Sequence, residues 1–139
     1  MGAIHFVRQE APNECGVAAL HMIAEFFLGK ELCYQEVRRL CMLTAYGMNV
    51  RNLCRAAGLL GLKTLPIWYN AKNYLQYLPI PCISIIDNIH YIVITKIGQN
   101  HVEIINPAVG YLSYNKDEFI HRCFFRDSKQ GIFILFEKS

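Results

Sequence analysis

The hydrophobic period of this chain changes once, at Gly61, and that change restricts the fold more than any other feature. Before it, apolar residues recur at three- and four-residue steps; after it they run in short β-branched stretches broken by turn residues. The first half therefore predicts helices. One runs from about Glu14 to Phe27, with Asn13 as its cap and Gly29 as its stop. A second runs from Tyr34 to Cys41, with Val37, Leu40 and Cys41 on one face. A third runs from near Asn49 to Leu60, where Val50, Leu53, Cys54 and Ala57 fall at helical spacing and Gly61 supplies the end. The second half predicts strands over Lys63–Trp68, Pro81–Ile86, His90–Ile97 and His101–Ile105, a further short strand, and a last one over Gly131–Glu137. Asp87-Asn88 is turn chemistry, and Asn106-Pro107 breaks a strand. Helical stretches are expected from Asn70 to Tyr77 and from Lys116 to Arg122. Helices first and an antiparallel sheet second describe an α+β domain. No repeat, low-complexity run or Gly/Ser/Pro linker interrupts it, so residues 1–139 are expected to form a single domain.

Composition excludes several classes of function. The chain is 53% hydrophobic and 18% charged, enough apolar surface for a packed core and too little charge for disorder. The net charge of +3 is scattered, and no segment concentrates Lys and Arg as a nucleic-acid surface requires. No stretch of about 20 apolar residues is present, so no transmembrane segment is expected; Val17–Leu28 comes nearest but carries His21 and Glu25. It reads as a buried or half-buried helix. The segment MGAIHFVRQE lacks the apolar core of a secretory signal. The six cysteines are accordingly read as reduced thiols, with Cys33, Cys41, Cys54 and Cys82 in apolar patterns where Cys acts as a small core residue. No Cys/His set has metal-ligand spacing and no Gly-rich phosphate loop appears, so neither a metal nor a cofactor is expected.

Cys15 stands apart. It sits where a loop meets the first helix, and a thiol at a helix N-terminus feels the positive end of the helix dipole. A thiol needs a base, and His90 opens a strand just after a turn, where a side chain emerges at the sheet's end. An imidazole needs a group to fix its tautomer. Asn106 ends the next strand, and a hairpin through Gly98 brings the start of one strand toward the end of the other. Taken singly, Cys15 packs a helix start, His90 is a half-exposed sheet residue and Asn106 shapes a turn. Together they make the Cys–His–Asn set of papain-like proteases. Gln9, six positions before Cys15, adds a side-chain amide able to donate to a developing oxyanion beside the Cys15 backbone N–H.

These residues lie in three blocks: Gln9-Glu10-Ala11-Pro12-Asn13-Glu14-Cys15-Gly16-Val17-Ala18-Ala19-Leu20, then His90-Tyr91-Ile92-Val93-Ile94, then Asn106-Pro107-Ala108-Val109-Gly110. In order and spacing they resemble the motifs of the double-glycine leader peptidases, the N-terminal cysteine-peptidase domains of ABC transporters that process and export bacteriocins and related peptides. The resemblance implies a papain-like fold, N-terminal helices packed on a C-terminal antiparallel sheet. It implies Cys15 as nucleophile, His90 as general base and acid, Asn106 as the residue orienting the imidazole and Gln9 as part of the oxyanion hole. It further implies cleavage of a precursor peptide after a Gly-Gly or Gly-Ala pair, coupled to export. Partners would be that precursor and the transmembrane and ATP-binding domains of a transporter, with the peptidase on the cytoplasmic side of the membrane, most simply as an excised domain. One departure stands out: most members carry Asp where this chain has Asn106, although Asn serves the same role in papain-like enzymes. Bulky side chains walling a narrow channel would exclude any Cβ beside the scissile bond, with Trp68, Tyr69 and Tyr91 as candidates. A groove for an amphipathic leader helix would draw on Phe26, Phe27, Tyr34, Tyr46 and Met48. The alternative from a different class is a non-catalytic domain that only docks the leader peptide.

Overall fold

The computed structural model describes residues 3–70, 72–125 and 130–139, with the backbone alone at 72–74. Three helices come first: α1 (Cys15–Leu28), α2 (Tyr34–Leu40) and α3 (Val50–Leu59). Strands follow as β1 (Leu62–Tyr69), β2 (Cys82–Ile86), β3 (His90–Ile97), β4 (His101–Asn106), β5 (Gly110–Asn115) and β6 (Gly131–Lys138), with α4 (Lys116–Cys123) between the last two. The strands form one antiparallel sheet in the order β1-β6-β2-β3-β4-β5. The expected α+β class and nearly every element stand, with ends displaced by one or two residues. The helical stretch expected over Asn70–Tyr77 is a 3-10 helix over Lys72–Tyr77, and position 71 lies outside the described residues.

Alternation along the central strands builds two cores. Ile83, Ile85, Tyr91, Val93, Ile105 and Ile134 face α1–α3, together with Val17, Leu20, Ile23 and Leu53. Their neighbours Cys82, Ile86, Ile92, Ile94, Ile104 and Phe133 face the other way, against Phe119, Ile120 and Cys123 of α4. Covering on both faces is why β2 is buried at every position and reads as a continuous apolar run. It also places α4 opposite the other helices, so the sheet is the middle layer. Residues 17–24 of α1 are buried throughout, as its apolar run requires.

Two helix ends carry information about function. Asn49 caps α3 as expected, its side chain accepting from Asn52 N at 2.8 Å. Gly29 closes α1 in the left-handed conformation at φ 67°. Asn13, however, does not cap α1. Its amide donates instead to Thr44 O at 2.9 Å, tying the start of α1 to the α2–α3 loop. The residue before α1 is Glu14, and no side chain caps that end. The first backbone N–H groups of α1 are thus left for another acceptor. The cysteine reading also needs one correction: Cys41 and Cys82 are buried and Cys54 is partly so, but Cys33 precedes α2 and is exposed. The six are unpaired thiols. Asn49→Ala should lower stability by about 1 kcal/mol, the usual value of an N-cap. Urea unfolding checks this, and activity of the folded protein should be unaffected.

Candidate active site

The sheet brings the candidate residues His90 and Asn106 to one end. β2 and β3 pair Ile86 with His90 across the turn made by Asp87 and Asn88, both with positive φ. On the next hairpin, Val93 pairs with Ile105, so Asn106 comes back to the same end as His90. His90 Nε2 lies 2.7 Å from Asn106 Oδ1. The same oxygen accepts from Ala108 N at 2.9 Å, which fixes the amide with its oxygen toward the ring. An oxygen there demands a proton on Nε2, leaving Nδ1 as the free nitrogen of the neutral imidazole. The ring is also coupled electrostatically to the Cys15 thiol.

Cys15 begins α1 and is largely buried. Burial pushes its thiol up, but hydrogen bonding and charge from His90 and the backbone N–H groups of Tyr91 and Gly16 bring it below the ordinary thiol value. His90 moves in the complementary direction. The hydrogen bond with Cys15 raises it, burial opposes, and Asn106, the Cys15 charge and Asp87 add to the rise. Both shifts run in the direction that favours a thiolate beside an imidazolium. Other buried thiols behave oppositely: burial lifts Cys41 to about 11, with a further push from Glu14, and Cys82 to about 12, and it raises Cys123 too.

What brings α1 this close is Gly16. A Cβ there would lie 2.8 Å from Met48 Cε and 3.1 Å from Tyr91 Cδ2. Tyr91 is only 5% exposed, and its hydroxyl donates to the Met48 backbone O at 2.9 Å, so the Tyr91 ring is held in place while the Met48 side chain is the more yielding neighbour. Gln9 reaches the same end through Gln9 N donating to Pro107 O at 2.9 Å. Its side chain is less free than the sequence suggests. Nε2 donates to Ala11 O at 3.0 Å and lies 3.5 Å from Pro12 O, while Oε1 is buried without a partner.

Sequence reasoning missed the polar groups around this set. Glu14, 4% exposed, accepts from Tyr34 Oη at 2.9 Å and from Arg38 Nε at 3.0 Å. Tyr34 Oη also accepts from Glu10 N at 3.3 Å, so α2 holds the loop between Gln9 and Cys15. Asp87, read only as a turn residue, accepts from Arg122 of α4 at 2.6 Å and 3.2 Å. Among the channel and groove candidates, Tyr91 of the first set and Met48 of the second lie beneath the start of α1. Tyr69 packs edge-on against Phe133 in the other core, and Phe27 meets Phe136 near the far end of α1. Tyr34 holds the loop as described, Tyr46 is fully exposed in the α2–α3 loop, and Trp68 is 57% exposed beside Phe125.

A profile of the Peptidase C39 family matches residues 3–129. The chain belongs to this family. Over 112 residues it is 30% identical to the probable microcin-H47 secretion/processing ATP-binding protein MchF of Escherichia coli, covering 81% of this chain and 16% of that protein. Over 122 residues it is 29% identical to the pediocin PA-1 transport/processing ATP-binding protein PedD of Pediococcus acidilactici, covering 83% and 17%. The chain therefore spans about one sixth of the length of these relatives. A double glycine motif protease from an AMS/PCAT transporter, solved in complex with the leader peptide, superposes with TM-score 0.86 at 25% identity, over 99% of this chain and 93% of that one. The peptidase domain of Streptococcus ComA, a bifunctional ABC transporter, superposes with TM-score 0.81 at 22% identity, over 99% and 100%, a likeness of fold. The C39 domain is a cysteine peptidase domain of papain-like fold.

Two substitutions test the packing that builds the site. Gly16→Ala should cost about 1–3 kcal/mol, because the Tyr91 ring cannot retreat while its hydroxyl is held. Cleavage should fall with it, and Met48→Ala in the same chain should restore part of the stability in a thermal melt. Tyr34→Phe should cost about 1–3 kcal/mol in urea unfolding by leaving a buried Glu14 oxygen without its donor.

Proposed function

We propose that this chain is a single thiol-peptidase domain that releases the leader from a precursor peptide by cutting after a Gly-Gly or Gly-Ala pair. It works with the membrane and ATP-binding parts of an ABC transporter, on the cytoplasmic side. No helix of the described residues is long and apolar enough to cross a membrane, so membrane attachment comes from those other parts. The observation that carries the reading is the Cys15 thiol held below its ordinary value by a His90 ring whose far nitrogen meets Asn106 Oδ1 at 2.7 Å.

In this reading the Cys15 thiolate attacks the carbonyl carbon of the scissile bond, and the carbonyl oxygen gains the charge. The uncapped start of α1 offers it the Cys15 N–H. Gln9 offers the second donor. One of its two amide hydrogens serves Ala11 O, and the other, only 3.5 Å from Pro12 O, turns to the stronger acceptor. His90 gives its proton to the departing amine, leaving a thioester on Cys15. It then takes a proton from water, which hydrolyses the thioester and regenerates the thiolate.

Cys15→Ala should abolish cleavage of a Gly-Gly precursor while leader binding stays nearly intact, and His90→Ala should be comparably damaging. Turnover surviving in the Cys15→Ala variant, or a thiol reagent that labels Cys33 before Cys15, would remove Cys15 as the nucleophile, whereas an unaltered chain that binds the leader and cuts nothing would be a leader-docking domain. Asn106→Ala should lower kcat by roughly 10- to 1000-fold, less than loss of the thiol. Asn106→Asp should stay active. Its carboxylate would favour the imidazolium, raise His90 further and move the basic limb of the pH–rate profile to higher pH. An unmoved limb, with full activity in the Asn106→Ala variant, would remove Asn106 from the mechanism.

A further inference from the structure

Gln9 lies in a segment, residues 3–14, that belongs to no helix or strand. An oxyanion donor must be held within a fraction of an ångström, and a displacement of about 1 Å in such a group costs on the order of 100-fold in rate. Something outside the segment must supply that precision. Residues 10–14 are held by α2 and the α2–α3 loop, and residues 4–9 by a separate series of anchors to β5 and the β4–β5 turn. Tyr111 Oη donates to Ile4 O at 2.7 Å and accepts from Phe6 N at 3.1 Å, so one hydroxyl pins the backbone on both sides of His5. The Phe6 ring leans on Tyr111 with centroids 6.3 Å apart. Arg8 then crosses above Phe6, its Cζ 5.4 Å from the ring centroid, and donates through Nη1 to Ala108 O at 2.7 Å. Gln9 N donates to Pro107 O next to it.

The acceptors matter as much as the donors. Pro107 and Ala108 are in the turn that begins at Asn106, whose side chain holds both Ala108 N and the His90 ring. Arg8 thus fixes the segment to the same few residues that aim the base. Tyr111 is 63% exposed and fills no core, so these two hydrogen bonds are what its hydroxyl provides.

We propose that Arg8 and Tyr111 are positioning residues for Gln9, fastening residues 4–9 to the β4–β5 turn so that the Gln9 amide is set against the Cys15–His90 pair. The proposal rests on the reading of Gln9 as an oxyanion donor. Neither residue touches the reacting atoms, and their effect passes through Gln9.

A double-mutant cycle on the whole chain, assayed with a Gly-Gly precursor peptide, tests this. Arg8→Ala with Tyr111→Phe should lower kcat about 10-fold with little change in KM, a part of the roughly 100- to 1000-fold expected for losing the donor outright. In a Gln9→Ala background the same pair should change kcat by less than about 2-fold, since nothing is left to position. The rate at which iodoacetamide alkylates Cys15 should not change, because that reaction forms no oxyanion. If the loss persists in full beside Gln9→Ala, the two residues act elsewhere and the proposal falls while the role of Gln9 stands. A slowed alkylation would route the effect through Asn106 and His90, which also overturns it. Should Gln9→Ala itself leave kcat unchanged, the oxyanion reading fails, and this inference with it.

Discussion

The close approach of the first turn of α1 to the start of β3 is the constraint on which the rest depends. Cys15 and His90 come from the two halves of the chain, 75 residues apart, and they meet only because Gly16 offers no side chain where Tyr91 and Met48 already sit. That contact joins the helical layer to the sheet next to Cys15. Tyr91 has a double part in it: its ring sets the spacing, and its backbone N–H supports the thiolate. Packing and electrostatics are therefore not separable here. A helix start shifted outward by the width of a methyl group would weaken the hydrogen bond that lowers the Cys15 thiol.

A buried thiol is ordinarily driven toward its neutral form, as Cys41 and Cys82 are. Cys15 escapes because its neighbours are donors. The residue just before it, Glu14, is a buried acid that would oppose a thiolate, yet its two oxygens are turned to Tyr34 and Arg38 on α2. The same pairing that satisfies Glu14 holds the loop in place, so α2 stabilises the site without contributing a reacting group. This arrangement also explains the missing cap. Asn13 is engaged with Thr44, Glu14 with α2, and the N–H groups at the head of α1 stay open.

Much of this was legible in the sequence because it depends on local pattern. The change of period at Gly61 separates helices from strands, Gly29 ends α1 and Asn49 caps α3. Cys15, His90 and Asn106 could be picked out because each sits at the end of an element, and an antiparallel hairpin returns the last two to one edge. What the pattern could not show were partners chosen by tertiary contact. Asn13 has the composition of a cap, and only the fold reveals that Thr44 competes for it. Arg122 lies 35 positions beyond Asp87, and Tyr111 lies 107 beyond Ile4, with no periodicity linking either pair. Aromatic residues were the least legible class: Tyr69, Tyr91 and Trp68 look alike in sequence but face a second core, the start of α1 and solvent.

The neutral residue at position 106 is consistent with how charge is distributed around His90. An imidazolium needs orientation and a counter-charge, and an Asp at this position would supply both at once. Here the two are divided. Asn106 orients the ring through an oxygen that Ala108 N keeps in place. Of the charge effects that raise His90, that of Cys15 is the larger and that of Asp87, in the turn before β3, the smaller. Asp87 is itself shared with Arg122, which holds its carboxyl below the usual range and so keeps it ionised. The rise at His90 consequently depends most on Cys15, the group it would activate in the proposed mechanism. In the proposed mechanism, acylation of Cys15 would remove that interaction and with it the largest influence raising His90. A base is needed at that stage to activate water, so the division of labour favours proton release at the step that requires it.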